Sequence, residues 1–248
     1  MKNRINPAII IALVLPLVLC PVSGADAYTR EEASAGGPYL FQAELPFQYA
    51  INDSCAGPGV PKEKYSEAVK NSYISWTVPS CTYFSVAQPP ITGRTDTGYN
   101  PDGDNLNLVV WRTSEWATEP RSYPKNALAI TTNTFFTDSG TIVKSDIEVN
   151  GEFFTWRVLD SAGSGYNDIQ NTLTHEAGHV TGLDHSSDPK AVMYYAAKSG
   201  EISKRVLTQD DIDGVCAIYP AGGPDAGEND GSPDPTQSSG CACSAIAL

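Results

Sequence analysis

The feature that most constrains this chain is the segment HEAGHVTGLDH at residues 175–185, which contains all three of its histidines. Residues four positions apart lie on the same face of a helix, so His175 and His179 can bind one metal ion together. Gly182 can take the positive φ that ends a helix and turns the chain back, which brings His185 to the same ion. Three imidazoles leave one position of a tetrahedral zinc ion open, as catalytic sites require. The sequence therefore predicts zinc bound by His175, His179 and His185.

Glu176 follows the first predicted ligand and is the predicted catalytic residue. In the H-E-x-x-H pattern two imidazoles hold zinc and the glutamate serves as general base. A water bound to zinc has its pKa lowered towards roughly 7, so Glu176 can take its proton while zinc polarises the substrate carbonyl. The glutamate can then pass that proton to the leaving amine. A structural zinc site is the alternative, but such sites more often use cysteines and have no use for Glu176.

The first 27 residues have the pattern of a secretory signal peptide. A basic start precedes an apolar run over residues 9–19, and an A-x-A cleavage site ends at Ala27. A membrane anchor is the alternative, but the run is shorter than the ~20 residues that a span needs and contains Pro16. We therefore predict a protein that is secreted, or held at the cell surface, without stable membrane insertion once the signal is removed.

The charge balance limits the class of partner. The chain has 16 Lys+Arg against 29 Asp+Glu, a formal net charge of -13. Proteins that bind nucleic acid need a basic face to displace phosphate counterions, so we expect no nucleic-acid partner. The expected partners are extended polypeptide substrates, and we expect a monomer.

Composition and periodicity divide the chain into four parts. After the signal peptide, residues 28–44 form an N-terminal segment, residues 45–220 one folded domain, and residues 221–248 a flexible tail rich in Gly, Pro, Asp and Ser. Three helices are predicted, opening at Pro61, near Asp168 and after Thr208. The Asn150-Gly151 pair between two strand-like runs predicts a β-hairpin.

Five cysteines remain after removal of the signal peptide, and an exported chain permits disulfides. Cys55 and Cys81 flank the first predicted helix and are the expected pair, which leaves Cys216 as a buried thiol, although spacing alone does not fix the connectivity. Cys241 and Cys243 are too close for the usual C-x₂₋₄-C arm of a structural zinc site, so no metal is assigned to them.

The segment HEAGHVTGLDHS resembles the metzincin metallopeptidases, and in particular the matrixin branch, in which serine follows the third histidine as Ser186 does here. Downstream, SSDPKAVMYY resembles the approach to the methionine turn, with Met193 as the floor beneath the metal, and LTQDDIDGVCAIYP resembles the C-terminal helix. The resemblance implies an α+β fold, of the α/β-like metzincin type. Its parts are a twisted, mostly parallel sheet with one antiparallel edge strand, an active-site helix, the methionine turn and the C-terminal helix.

The resemblance also implies roles for individual residues. His175, His179 and His185 would be the zinc ligands and Glu176 the catalytic base. The strand at residues 126–132 would be the antiparallel edge to which an extended peptide adds, with backbone pairing giving affinity and side-chain pockets giving specificity.

Two departures concern the site itself. Tyr195 stands where matrixins usually have proline. The astacin and serralysin branches have a tyrosine at this offset that can reach the zinc, so Tyr195 is either an oxyanion donor or a pocket-wall aromatic. We find no PRCG-like segment whose thiolate could cap the zinc. Cys55 is a conceivable substitute, weighed against its assignment to a disulfide.

Three aspartates leave structural calcium open. Asp102 and Asp104 in NPDGDN and Asp138 in TDSG offer oxygen ligands, although such strings are mostly turns. Asp210 and Asp211 are interpreted as charges that favour the positive end of the third helix, in preference to a tie to the active site.

The leading hypothesis is a secreted zinc endopeptidase. One alternative is a non-catalytic zinc-containing binding or surface protein of the same fold, and another is a processing protease of narrow specificity. Glu176 argues against the binding protein, because a protein that only binds would be free to lose its general base.

Overall fold

The computed structural model describes residues 27–53, 59–163, 165–223 and 239–247. The predicted signal peptide up to residue 26, Cys55 and residues 224–238 of the predicted tail lie outside the described residues. Among the helices of the described part, none is both long and apolar enough to cross a membrane.

The described chain forms eleven strands, three α-helices and one short 3-10 helix. The strands are β1 Thr29–Arg30, β2 Phe41–Gln42, β3 Ala50–Asn52, β4 Ile91–Thr92, β5 Leu108–Arg112, β6 Ala127–Phe136, β7 Thr141–Asn150, β8 Trp156–Arg157, β9 Asn167–Asp168, β10 Leu183–Asp184 and β11 Ser239–Ala247. The helices are α1 Lys62–Ser75, α2 Ile169–Val180 and α3 Gln209–Ile218, and the 3-10 helix is Ser203–Arg205.

The main sheet has the order β11-β6-β7-β5-β3-β4, with β2 pairing to the start of β7. Strands β2, β3, β4, β5 and β7 are mutually parallel, whereas β6 runs antiparallel to β7. The predicted mostly parallel sheet with an antiparallel strand is thus confirmed. The prediction that this strand forms the edge is wrong for the described chain, because β11 pairs with the outer side of β6.

The three helices begin where their capping residues predict. Pro61 precedes α1, and the Asp168 side chain accepts a hydrogen bond of 2.7 Å from the backbone N–H of Asn171 at the start of α2. Thr208 and Asp211 form a reciprocal capping box on α3, which satisfies backbone donors that the first turn of a helix leaves unpaired.

The predicted hairpin at Asn150-Gly151 is wrong. After β7 the chain turns away from the main sheet, and β8 pairs in parallel with β9 instead. A close approach explains the glycine, because a Cβ on Gly151 would lie 2.1 Å from Nε1 of Trp111. The hairpin of this sheet connects β6 to β7, through a turn in which Gly140 has a φ of 74°.

The principal hydrophobic core is formed by α1 and α2 together with β3, β5, β6 and β7. The predicted apolar stripe of α1 supplies Tyr65, Val69 and Tyr73, and Trp76 follows at its C-cap. The Trp76 indole is fully buried and donates a hydrogen bond of 2.9 Å to the backbone carbonyl of Thr174. This contact ties α1 to the middle of α2, one residue before the first predicted zinc ligand.

The disulfide of the described residues joins Cys81 to Cys216, so the predicted Cys55–Cys81 pair and the free thiol at Cys216 are wrong. The loop after α1 returns to the end of α3, where the N–H of Tyr83 donates to the carbonyl of Tyr219. Long-range backbone pairing therefore decides the partner, which sequence spacing does not reveal. The bond closes a loop across 135 residues of sequence separation, and such cross-links typically stabilise a fold by about 2–4 kcal/mol.

The prediction of a flexible tail is wrong for Ser239–Ala247. Ser239–Ala247 is a nine-residue strand that pairs antiparallel with β6, from Ser239 opposite Phe136 to Ala247 opposite Ala127. The segment contains no proline and no charged residue, so an exposed sheet edge can supply the hydrogen bonds that the segment lacks by itself. The residues next to Ser239–Ala247 in sequence do not reveal this edge, because β6 lies far away in the chain.

Candidate metal centre

The structure brings the three predicted ligands together. Their candidate ligand atoms all lie within 4.8 Å of one another, and His175 and His179 are fully buried on α2. His185 follows β10 and is partly exposed. Within the described residues, these three form the one group of three or more His, Cys, Asp or Glu side chains that could hold a metal ion.

The hydrogen bonds of the two helical histidines fix which nitrogen faces the site. Nδ1 of His175 lies 2.6 Å from the carbonyl oxygen of Val192, and Nδ1 of His179 lies 2.8 Å from that of Leu183. A carbonyl only accepts, so each Nδ1 carries the proton and each Nε2 presents a lone pair. The two Nε2 atoms are 3.1 Å apart. Two lone pairs at this distance repel unless a cation lies between them, and zinc bonded to imidazole nitrogen at about 2.0–2.1 Å suits the spacing.

Burial keeps these imidazoles in the form that a metal needs. Desolvation, with a smaller contribution from the neighbouring histidines, lowers the pKa of His175 well below its usual value and that of His179 to about 3. Metal binding requires neutral imidazole. The residues present therefore fit a zinc ion by geometry, tautomer and charge.

Gly182 delivers the third histidine, as predicted. Its φ is 95°, and its N–H closes the end of α2 on the carbonyl of His179. A Cβ on Gly182 would lie 2.3 Å from the backbone oxygen of Leu40. Two separate features therefore require glycine at position 182: the left-handed backbone conformation and the close approach of the backbone of Leu40.

Glu176 is fully buried and lies between α2 and β6. The Thr131 hydroxyl is 2.5 Å from its Oε2 and 3.1 Å from its backbone oxygen. Two residues along β6, the Asn133 amide donates to the carbonyl of His179 at 2.9 Å. These contacts hold β6 against the face of α2 that carries the H-E-x-x-H pattern. The sequence analysis missed Thr131 and Asn133. They are two positions apart on one strand and so lie on the same face of the sheet, which is the signal that could have indicated a shared contact with α2.

Met193, the methionine that the resemblance implies for the methionine turn, is fully buried. Its Sδ packs on α2 at Gly178, where a Cβ would lie 2.2 Å from that sulfur. Ser186, directly after His185, donates its N–H to the carbonyl of Met193 at 2.9 Å. The methionine turn therefore supports α2 and the third histidine together.

The interpretation of Asp210 and Asp211 as helix-end charges alone is wrong. The Asp211 carboxylate accepts the backbone N–H groups of Val192 and Met193 at 2.9 and 3.0 Å. Asp210 accepts the Ser186 hydroxyl at 2.6 Å and the backbone N–H of Tyr28 at 2.7 Å. Both carboxylates thus connect α3 to the metal centre, a tertiary contact that a helix-capping pattern does not predict.

Lys204 is a buried cation that the sequence analysis also missed. Its ammonium donates to the carbonyls of Val192, at 2.8 Å, and Tyr194. The Val192 carbonyl is the same group that accepts from His175, so Lys204 helps to fix the segment behind the first ligand. Burial lowers the pKa of Lys204 to about 8.

Tyr195 lies at the mouth of the site. Its ring centroid is 6.4 Å from that of His185, and the side chain is 53% exposed. Its ring also packs on that of Tyr194, with the ring centroids 4.5 Å apart. Tyr195 is thus close enough to the third histidine to contact a substrate bound there.

The aspartates considered for calcium do not converge on a site. Asp104 forms an ion pair of 2.6 Å with Arg94, which also pairs with Asp96. In the described part of the chain, Asp102 and Asp138 join no group of three potential metal ligands. The Arg94 guanidinium thus pairs with two carboxylates of this acidic loop.

Comparison with known proteins shows that part of this chain is similar to one family of peptidases. Residues 115–220 match the matrixin family of peptidases. Human neutrophil collagenase is 32% identical over 162 residues, which cover 65% of this chain and 30% of that protein. Human matrilysin is 43% identical over 63 residues, 25% of this chain and 23% of that protein. Metalloendoproteinase 1 of Glycine max is 44% identical over 52 residues, 21% of this chain and 17% of that protein.

The chain thus spans less than a third of the length of each of these relatives. The matrixin family is zinc-dependent, and the three-histidine group is of the kind that forms the matrixin zinc site. Sequence match, sheet topology and histidine geometry agree that this chain carries a matrixin-like domain.

Proposed function

We propose that this protein is a zinc-dependent endopeptidase, with His175, His179 and His185 as zinc ligands and Glu176 as catalytic base. The observation that carries the proposal is the pair of Nε2 lone pairs held 3.1 Å apart on a helix that also carries the buried Glu176. A site that only stored zinc would not need a glutamate in this position. The matrixin-like domain and the names of its relatives, a collagenase and a metalloendoproteinase among them, support the same activity.

The residues of the chain divide the work of the reaction. Bound zinc would supply a Lewis acid that lowers the pKa of a coordinated water and polarises the substrate carbonyl. Glu176 takes the proton of the attacking water and returns it to the leaving amine. Thr131 holds one carboxylate oxygen of Glu176 by its hydroxyl, which limits the orientations of the base. The carbonyls of Val192 and Leu183 hold the His175 and His179 rings in the ligating tautomer.

The substrate class follows from β6. This strand lies beside α2, and a peptide added to its outer side would run past Glu176. Pairing of this kind uses backbone groups that every extended peptide has, so the proposed substrates are extended polypeptide segments. The predicted signal peptide supports action outside the cell, after secretion. A protein that processes a single partner would use the same chemistry with a narrower choice of side chains.

Metal removal tests the activity. We expect cleavage of casein or of a peptide library to stop when a chelator removes zinc and to return when zinc is added back, because the open ligand position carries the chemistry. Zinc content, measured in parallel, must fall and recover with the activity. A folded, zinc-loaded protein that cleaves no member of the library would contradict the proposal and favour the non-catalytic binding protein.

Tyr195→Phe separates the two roles left open for this residue. Because the Tyr195 ring centroid is 6.4 Å from that of His185 and the side chain is largely exposed, we expect kcat to change by less than about 3-fold, far below the 10²–10³-fold loss typical of an oxyanion donor. Steady-state kinetics on one peptide substrate measure the effect, with Tyr194→Phe as the matched variant. A fall of 10²-fold in kcat at Tyr195 alone would assign it a catalytic role.

A further inference from the structure

The outer side of β6 is a single row of backbone groups that can hold one strand at a time. Its inner side is committed to β7, in register from Ala129 opposite Val149 to Phe135 opposite Ile142. A strand in a sheet has only two sides. Any peptide that adds to β6 must therefore use the outer row.

In this structure the outer row is occupied by the chain itself. β11 pairs with β6 over all nine of its residues, and the register places Ser244 opposite Thr131, the residue whose hydroxyl contacts Glu176. Cα atoms of β11 also come within 8 Å of α2. β11 thus passes beside the candidate catalytic centre, along the path that the proposed substrates would take.

We propose that Ser239–Ala247 is an autoinhibitory strand that excludes substrates from the peptide-binding side of β6. The proposal rests on the endopeptidase function proposed above and adds its regulation. β11 and a substrate compete for the same N–H and C=O groups, so a peptide can pair with β6 only after β11 has left.

Covalent attachment makes this competition effective. A segment linked to its site is present at an effective concentration on the order of millimolar for short linkers, whereas a substrate must bind from solution. The closed form therefore raises the apparent KM for peptides and leaves kcat unaltered, since β11 supplies no group to the reaction. A cut in the chain before Ser239, or a partner that captures the strand, would remove the block.

The test weakens β11 within the full chain. The variant Ala242→Pro/Ala245→Pro removes the backbone N–H groups of one even-numbered and one odd-numbered residue of β11. In an antiparallel pair, only alternate residues direct their N–H groups to the partner strand. One of the two prolines therefore removes a hydrogen bond to β6. The matched control, Ala242→Ser/Ala245→Ser, keeps both N–H groups. We expect the proline variant to have a KM at least about tenfold lower than the wild type and the control, with equal kcat.

Hydrogen exchange provides a readout that does not depend on activity. The β6 amides that bond to β11 should be protected in the wild type and the serine control, and should exchange faster in the proline variant. Equal exchange in all three proteins, or faster exchange with an unchanged KM, would overturn the autoinhibitory role. Zinc-loaded proteins that are all inactive, with the exchange difference present, would instead overturn the endopeptidase function, and the inhibitory role with it.

Discussion

Glu176→Gln is expected to lower kcat/KM by about 10²–10⁴-fold while zinc stays bound, because the amide cannot accept the proton of the attacking water. Glutamine has nearly the same size and can still accept the Thr131 hydroxyl through its carbonyl oxygen. The burial between α2 and β6 is therefore kept, and the change isolates proton transfer. None of the three candidate ligands is altered.

Three measurements separate this effect from damage to the site. Peptide hydrolysis gives kcat and KM, elemental analysis gives zinc per chain, and thermal unfolding gives the stability. Glu67→Gln is a matched control. Glu67 lies exposed on α1, so this substitution removes the same charge at a position away from the candidate site. A variant at Glu176 that retains more than a tenth of the wild-type kcat/KM would show that another group serves as the base.

Gly182→Ala is expected to destabilise the fold by about 2–5 kcal/mol and to weaken zinc binding. The new Cβ would meet the Leu40 backbone oxygen at 2.3 Å, and alanine disfavours a φ of 95°. Backbone cannot move aside as a side-chain tip can, so the turn after α2 must shift. His185 follows this turn by three residues, and its position at the metal would shift with it.

Gly163→Ala is the matched control for this substitution. Gly163 has a similar φ of 91°, but a Cβ there would meet nothing within 4 Å. This variant should lose only about 1–2 kcal/mol in free energy of unfolding, the cost of placing alanine in the left-handed backbone conformation. Chemical denaturation gives both free energies of unfolding, and zinc titration gives the affinities. Equal losses of stability with unchanged zinc affinity would mean that the contact with Leu40 does not position the third histidine.

The zinc group could be predicted from the sequence because its logic is local. His175 and His179 are related by one helical turn, and Gly182 and His185 follow within six residues of His179. The caps at Asp168 and Thr208 are also local, since a side chain bonds to backbone only three residues away. Such features depend on residues so near in sequence that few arrangements compete with them.

The contacts that support the site could not be predicted in the same way. Thr131 lies 45 residues from Glu176 in sequence. Neither sequence segment contains a pattern that predicts contact with the other. Asp211 had a sufficient local explanation as a charge at the positive end of α3 and also bonds to the backbone of Met193. Cys81 had a plausible neighbour in sequence, yet pairs with Cys216 across 135 positions.

By itself, then, the sequence determined the residues of the candidate site: three imidazoles, one carboxylate and the glycine that lets the chain turn between them. The tertiary structure alone decided what surrounds that chemistry, including the hydroxyl on Glu176, the aspartates behind the methionine turn and the strand that covers β6. The physical reason is that helical spacing and capping are set by a few adjacent residues. Strand pairing depends on which backbone row remains open after the rest of the sheet has formed, and so on the whole chain.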